Sequence, residues 1–262
     1  MLAYRSGIFP MADRRDDPEV FWVEPRLRGI LPLGGFCCSR SLARTLRRGR
    51  FTVTCNAAFE AVVNGCAAPR RESADTWISG RIAASYRALH AEGQAHSIEC
   101  WQAGEDGVPQ LVGGLYGVGF DRVFCGESMF SRVPDASKVA LAWLVAALRR
   151  AGCELLDCQF MTDHLAALGA IEIPQARYLK LLRDAQRPIP QPPNQRAPSS
   201  TTGASAPSGA AAGGGATAGA TAGASVALGL PEGFAALLDD ANAAGSSSSP
   251  GNFIAQSLTH TS

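Results

Sequence analysis

The stretch that decides the fold runs from residue 122 to residue 160 and reads RVFCGESMFSRVPDASKVALAWLVAALRRAGCELLDCQF. Arg122 to Phe130 is rich in β-forming residues, whereas Lys138 to Arg150 is apolar almost all round and is followed by Gly152. The first pattern predicts a strand and the second a buried helix. Glu154 to Phe160 predicts a further strand, so the centre of the fold alternates strand, helix and strand.

Further strands and helices flank this centre. His96 to Trp101 and Gln110 to Val118 are β-rich runs separated by Gly/Asp turns, and with the strand after Arg122 they predict an antiparallel meander. The remaining predicted elements are helices over 39–48, 80–92 and 163–168, a helix that ends at Gly65, and a strand over 51–55. The fold class is therefore α+β, and the pattern alone leaves several mixed folds open.

The two ends of the chain differ in composition from this centre. Residues 1–35 combine Pro, Gly and scattered aromatics, which predicts a small irregular amino-terminal domain before a main domain over 36–185. Residues 186–262 are dominated by Ala, Gly, Ser, Thr and Pro, so most of this tail is predicted to be disordered. Within it, 231–243 can form one amphipathic helix, and 252–262 carries apolar residues that can dock on the main domain.

Bulk properties narrow the class of protein. The eight cysteines form no CxxC pair, and none lies near a histidine at a zinc-ligand interval, so we expect no metal and no cofactor. The sequence opens without a signal-peptide pattern and contains no apolar run of membrane-spanning length. It therefore predicts a cytoplasmic, reduced protein without a membrane partner, and we expect a monomer.

Positive charge is concentrated in one segment, although the net charge of the chain is only +1. Between Pro25 and Phe59 there is no acidic residue. The arginines of this segment are Arg26, Arg28, Arg40, Arg44, Arg47, Arg48 and Arg50. Such a surface attracts a phosphate backbone, but the four residues from 40 to 48 also fit the solvated side of a helix. Nucleic-acid contact and a plain solvated surface are both open interpretations.

Two polar residues in the strand after the buried helix are candidates for chemistry. Because side chains alternate along a strand, Asp157 and Gln159 face one way and Cys158 the other. A carboxylate and a carboxamide are expensive to bury in apolar surroundings, which indicates either a reactive pair or a structural hydrogen bond. No histidine has a sequence cue that ties it to a thiol or a serine, which argues against a cysteine nucleophile.

The strand before the buried helix offers a candidate binding surface. By the same alternation, Glu127 and Met129 are predicted to share a face, which suits a pocket for an apolar side chain and a positive amino group. Ordinary core packing is the other interpretation of Met129. Trp22 and Trp77 are candidates to stack on an unpaired nucleobase, or else are buried structural residues.

Taken together, these motifs resemble the bacterial leucyl/phenylalanyl-tRNA–protein transferases over about Tyr4 to Leu182. The matching blocks are long and differ in composition, so chance agreement is implausible. They are YRSGIFPM at 4–11, FWVEPR at 21–26, SRS at 39–41, DTWI at 75–78, HSIE at 96–99, GGLYGV at 113–118, GESMFS at 126–131, ASK at 136–138, LLDCQ at 155–159 and LGAIEIP at 168–174.

The resemblance implies an acetyltransferase-like (GNAT) mixed-sheet domain and a specific reaction. Leu, Phe and also Met would be transferred from aminoacyl-tRNA to the amino terminus of acceptor proteins that begin with Arg or Lys, which marks those proteins for degradation. Asp157 would orient Gln159, and Gln159 would hydrogen-bond the attacking amine without a covalent enzyme intermediate. Glu127 would face a positive amino group or the adenosine end of the tRNA.

The resemblance also assigns the binding surfaces. Met129, Leu115 and Leu144 would line the pocket for the amino-acid side chain. Trp22 and Trp77 would hold the terminal adenosine. The acceptor stem would lie on four arginines, Arg44, Arg47, Arg48 and Arg50.

Two other functions have weaker support. An acetyl-CoA enzyme on this fold needs a glycine-containing turn that cradles the pyrophosphate, whereas the corresponding segment, SRVPDAS at 131–137, has no glycine and carries a carboxylate. A non-catalytic RNA-binding module is the alternative function. In that case the arginines form its binding surface and Asp157 is structural.

Overall fold

A mixed sheet of seven strands forms the centre of the computed structural model, which describes residues 1–69, 75–188, 229–243 and 249–259. In spatial order its strands are β4 (Thr52–Cys55), β5 (Ala95–Ala103), β6 (Pro109–Phe120), β7 (Val123–Ser131), β8 (Leu155–Gln159), β3 (Leu27–Ile30) and β9 (Ile171–Pro174). Neighbours are antiparallel except β7 and β8, which pair in parallel. A small amino-terminal part adds a separate antiparallel pair, β1 (Phe9–Met11) and β2 (Phe21–Val23).

Helices cover both faces of this sheet. In chain order they are α1 (Leu2–Arg5), α2 (Arg40–Arg47), α3 (Phe59–Ala67), α4 (Gly80–Ala91), α5 (Ala136–Arg150), α6 (Asp163–Ala167), α7 (Gln175–Ala185), α8 (Leu230–Ala243) and α9 (Pro250–Thr259). Hydroxyl side chains cap three of them: Ser39, Ser79 and Thr162 accept from the backbone N–H three residues later, which satisfies one of the free donors at each helix start.

Two apolar clusters lie on opposite faces of the sheet. Each strand contributes residues to both, because successive side chains point to opposite faces. In β8, Leu156 belongs to the cluster around α5, whereas Leu155 belongs to the cluster around α3, α4 and α7. In β6, Leu115 and Tyr116 divide in the same way. The helix α5 supplies much of the first cluster, since it is buried over most of its length. The other face carries the tyrosines and the buried charges described below.

Most of the predicted elements are confirmed. The meander corresponds to β5, β6 and β7, and the buried helix and following strand correspond to α5 and β8, with shifts of a few residues at their ends. The α+β class is confirmed by the mixed sheet and its helices. The sequence did not predict α7, nor that β3, from the amino-terminal segment, inserts between β8 and β9. That insertion places Arg28 next to the end of β8.

Two helices of the tail pack on the α5 face of the main body. The helix predicted over 231–243 is confirmed as α8, whose Phe234 ring lies 5.5 Å from that of Trp143. The predicted docking of apolar residues near the end of the chain is confirmed for α9, where Ile254 and Leu258 are buried. The predicted disorder falls mainly on 189–228, 244–248 and 260–262, which lie outside the described residues. Among the described helices, none has both the length and the apolar character needed to cross a membrane.

Candidate active site

The strands β7 and β8 stop pairing partway along their length, and a cavity lies where they part. Their parallel pairing covers only Val123–Cys125 with Leu155–Asp157. Beyond it, residues 126–129 of β7 and 158–160 at the end of β8 line a cavity of about 610 Å³. The interrupted pairing therefore creates a recess in the middle of the sheet, between its two apolar clusters.

Asp157 is completely buried beside this cavity and is fully hydrogen-bonded. Its Oδ1 accepts from Arg28 Nε at 2.9 Å and from the backbone N–H of Gln159 at 2.9 Å. Its Oδ2 accepts from Arg28 Nη2 at 2.6 Å and from the Tyr178 hydroxyl at 2.9 Å. A buried carboxylate is tolerated when it is paired in this way. Asp157 thus ties the end of β8 to β3 and α7.

Arg28 is the buried partner, only 2 % exposed. Its guanidinium lies between two rings, 4.6 Å from the centroid of Phe9 and 4.5 Å from that of Tyr178, and donates to the Gly7 carbonyl at 3.1 Å. Burial acts to lower the pKa of Arg28, but the hydrogen bonds and charge of Asp157 outweigh it and raise the pKa. The prediction that Arg28 contributes to a positive surface is therefore wrong, because its charge is neutralised inside the fold.

Glu127 is the second buried carboxylate. Its Oε2 accepts from the Tyr86 hydroxyl at 2.6 Å and from Gln159 Nε2 at 2.8 Å, and Tyr86 is in turn 2.9 Å from the Tyr4 hydroxyl. The Oε1 atom is buried and has no hydrogen-bond partner among the described residues. Burial raises the pKa of Glu127 to about 7, so its charge changes near neutral pH.

Gln159 is held at both its backbone and its side chain. Its φ of 63° lies in the left-handed region, which costs a non-glycine residue about 1–3 kcal/mol and persists where surrounding structure imposes it. Asp157 holds its N–H, and Glu127 accepts from its Nε2. One of the two N–H donors of this carboxamide is bonded to Glu127, so the side chain can offer its carbonyl oxygen and a second N–H to the cavity it lines. Such fixed strain is typical of a functional site.

The predicted shared face of Glu127 and Met129 is wrong. Glu127 bonds Tyr86 on the tyrosine-bearing face, whereas Met129 packs against the α5 cluster. The cause is a β-bulge: the pairing of β6 with β7 shifts between Tyr116 and Gly117, so one extra residue of β7 lies opposite β6. A bulge reverses the alternation beyond it. Both side chains still line the cavity, because its wall includes residues from both clusters.

The remaining wall of the cavity is mainly apolar. The predicted residues Leu115, Met129 and Leu144 are brought together there with Trp77. Cys158 also lines it, and burial raises the pKa of its thiol, so the group is a poor nucleophile, as expected from the sequence. A cavity with one fixed polar end and an apolar body is suited to an amphipathic ligand such as an amino-acid derivative.

The comparison with known proteins agrees with this geometry. Residues 30–183 match the family described as leucyl/phenylalanyl-tRNA protein transferase, and residues 1–26 match its N-terminal domain. The chain belongs to this family. The predicted resemblance is thereby confirmed, as is the prediction that the chain is an enzyme, an aminoacyltransferase.

Several transferases of this family are close in sequence. The leucyl/phenylalanyl-tRNA–protein transferase of Novosphingobium aromaticivorans is 66% identical over 262 residues, which are 100% of this chain and 95% of that protein. The protein of the same name from Rhodopseudomonas palustris strain HaA2 is 56% identical over 189 residues, 72% of this chain and 82% of the relative. That of Zymomonas mobilis is 57% identical over 185 residues, 71% of this chain and 67% of the relative.

Other predicted site residues of the transferase lie apart from the cavity. Trp22, in β2, is 58% exposed and is not among the described residues that line the cavity. Arg44, Arg47 and Arg48 line a second cavity of about 440 Å³ together with Arg40. Exposed Arg50 lies 5.3 Å above the ring of Phe51.

Sequence reasoning missed the residues that hold the site in place. Arg28, Tyr86 and Tyr178 lie on three separate elements, and each reaches a carboxylate far away in sequence. It also missed His164, which lines the cavity and whose pKa is lowered by burial and by Lys138. The one available signal was Arg28 itself, a charged residue inside an apolar strand.

Proposed function

We propose that this transferase moves Leu, Phe and also Met from aminoacyl-tRNA to the α-amino group of proteins that begin with Arg or Lys. The observation that carries the proposal is Gln159, which lines a mainly apolar cavity in a strained conformation and is held there by the bond from its side-chain nitrogen to Glu127. The membership of the family supports the same reaction.

The chemistry requires positioning rather than a covalent intermediate. The amine nitrogen attacks the ester carbonyl carbon, a C–N bond forms, and the bond to the 3′-oxygen of the terminal adenosine breaks. The amine loses a proton, and the departing oxygen gains one. Gln159 Oε1 accepts a hydrogen bond from the attacking amine and aligns its lone pair; a carboxamide is a weak base, so orientation contributes more than proton removal.

The two buried carboxylates have different roles in this mechanism. Asp157 fixes the backbone of Gln159, and Glu127 holds its side-chain nitrogen. This refines the expectation that Asp157 alone orients Gln159. When ionised, Glu127 also places negative charge near the polar end of the cavity, which favours a nearby amino group.

The substrate side chain and the RNA occupy different surfaces in the proposal. Leu115, Met129 and Leu144 surround a side chain that is unbranched at Cβ, and Trp77 stacks on the terminal adenosine. Trp22 provides a second, exposed aromatic surface for the same end of the tRNA. The acceptor stem lies on Arg44, Arg47, Arg48 and Arg50.

Broader features of the proposal follow from the resemblance to the family. They are an acetyltransferase-like (GNAT) sheet domain over 36–185 with a small amino-terminal domain over 1–35, a cytoplasmic monomer, and a product marked for degradation. The parallel β7–β8 pair that opens into the cavity supports the fold.

The deciding experiment follows labelled Leu from Leu-tRNA into a model protein with an amino-terminal Arg. Wild type, Asp157→Ala and Gln159→Ala are compared, with Glu105→Ala as a control because that carboxylate lies in the exposed β5–β6 turn. We expect transfer by wild type and the control, and a large rate loss in the other two with tRNA binding retained. A wild type that binds tRNA but transfers nothing would support the non-catalytic RNA-binding module instead.

A further inference from the structure

The arginine helix α2 and the tail helix α9 form one structural unit. Leu42 and Leu46 of α2 are buried in the same cluster as Ile254 and Leu258 of α9. The two backbones approach so closely at Gly251 that a methyl group there would overlap the carbonyl oxygen of Leu46. The apolar side of α2 is therefore covered in part by α9, while its arginines remain exposed.

Polar contacts fix the ends of this unit. The Ser249 hydroxyl donates to the Arg47 carbonyl at 3.4 Å, at the last turn of α2. Arg149 of α5 donates to the Leu33 carbonyl at 2.7 Å and to the Ser257 carbonyl at 3.3 Å. Thus α9 is attached both to α2 and to the long central helix, which fixes the position of α2.

The arginines of α2 need such support because they repel one another. Arg40 and Arg44, and likewise Arg44 and Arg48, are four residues apart, and like charges at this spacing destabilise a helix. In the described part of the chain, none of them forms an ion pair. A helix of eight residues is marginal without tertiary packing. Packing by α9 is the compensating interaction.

The partner that fits this surface is a phosphodiester backbone. Four arginine side chains line the 440 Å³ cavity, none with an acidic partner within the described ranges, and Thr259 of α9 completes its wall. Closely spaced phosphates would neutralise several of these charges at once and release counterions. We propose that α9 is part of the tRNA-binding unit, acting as a brace that keeps the arginines of α2 in position for the acceptor stem; this rests on the proposed function.

The test variant is Gly251→Ala, whose added methyl group clashes with the Leu46 carbonyl. It is expected to displace α9 from α2 without changing any arginine. Its matched control is Gly80→Ala, since a methyl group at Gly80 meets nothing within 4 Å. Two substrates are compared: Leu-tRNA and the minimal ester leucyl-adenosine, which lacks the acceptor stem. We expect Gly251→Ala to raise the KM for Leu-tRNA and the Kd for tRNA about tenfold, with a shallower salt dependence. Transfer from leucyl-adenosine and the control variant are expected to match wild type.

An unchanged KM for Leu-tRNA in Gly251→Ala overturns the inference. If Gly251→Ala does not fold, it will also lose transfer from leucyl-adenosine. In that case hydrogen exchange in the wild type tests the inference. Addition of tRNA is expected to slow amide exchange in both α2 and α9, and slowing in α2 alone overturns the inference. Failure of the proposed function gives a different result, because the wild type would then transfer leucine from neither substrate. The Kd of Gly251→Ala for tRNA would still test whether α9 supports the arginines of α2.

Discussion

Arg28 and the arginines of α2 lie in the same acid-free segment, but Arg28 is buried whereas the arginines of α2 are exposed. Arg28 is buried between two rings and paired with Asp157. Arg44, Arg47 and Arg48 are exposed and line an open cavity. The first charge holds the protein together, and the others are available to a ligand. A run of positive charge in a sequence therefore has no single meaning until the burial of each side chain is known.

The sharpest test of this comparison removes the partner of Arg28. Asp157→Ala leaves a buried, uncompensated guanidinium, which is expected to lower the free energy of unfolding by about 3–5 kcal/mol. Urea denaturation measures the loss, and the transfer assay should show a parallel loss of activity. An Asp157→Ala variant with wild-type stability would show that the pair does not hold the fold.

A double variant separates the structural from the chemical part of this effect. Replacing both partners, Arg28→Met with Asp157→Leu, removes the uncompensated buried charge. This double variant is expected to recover most of the stability. It should not recover transfer, since the N–H of Gln159 has lost its acceptor.

The second test concerns Glu127, a buried carboxylate that forms no ion pair among the described residues and whose pKa of about 7 exceeds the ordinary 4.5. Between these pH values the folded state binds more protons than the unfolded state, so stability falls as pH rises, by up to about 3 kcal/mol. Transfer should increase over the same interval, because ionised Glu127 holds Gln159. Denaturation and rate profiles from pH 4.5 to 8 measure both, and Glu127→Gln should flatten both slopes.

A third test uses the left-handed backbone of Gln159. Gln159→Gly removes the carboxamide but relieves the strain, so the free energy of unfolding should stay within about 1 kcal/mol of wild type or increase. The transfer rate is expected to fall about 100-fold, as for loss of a positioned polar group. Gln159→Ala should lose the same activity and be less stable than the glycine variant. Equal stability of the two variants would argue that the φ of Gln159 carries no strain.

The smallest effect on the fold is expected for the exposed charges. Arg44→Ala/Arg47→Ala should change the free energy of unfolding by no more than about 0.5 kcal/mol, because neither side chain is buried. Its tRNA affinity should fall several-fold, and the slope of log affinity against log salt should decrease by about two. Fluorescence anisotropy over a salt series measures both. A large loss of stability would place these residues with Arg28 instead.

The sequence predicted best those features that are set by local pattern. The apolar helix α5 and the strands of the meander β5–β7 each carry their signal within one continuous stretch of sequence, so they were placed correctly. Asp157 and Gln159 were also recognisable, as polar residues in an apolar strand. The predicted face of Glu127 was wrong because a β-bulge depends on the partner strand, and strand alternation alone does not reveal it.

Contacts between residues far apart in sequence were the other feature that the sequence did not predict. Arg28 bonds a carboxylate 129 residues away, and nothing in either local sequence indicates the other. The same holds for Tyr86 and Glu127, which are 41 residues apart. The candidate site was therefore predictable as a set of reactive residues, whereas the residues that orient them were not.

The convergence of three chain segments on Asp157 has a consequence for synthesis of the protein. Arg28 emerges early from the ribosome, Asp157 follows 129 residues later, and Tyr178 another 21 residues after that. Until then the nascent chain carries an arginine whose place in the sheet, between β8 and β9, does not yet exist. Such distant contacts slow folding. The hydrogen bonds on Asp157 are complete only after Tyr178 has been made, so we expect a fragment released before that point to be inactive.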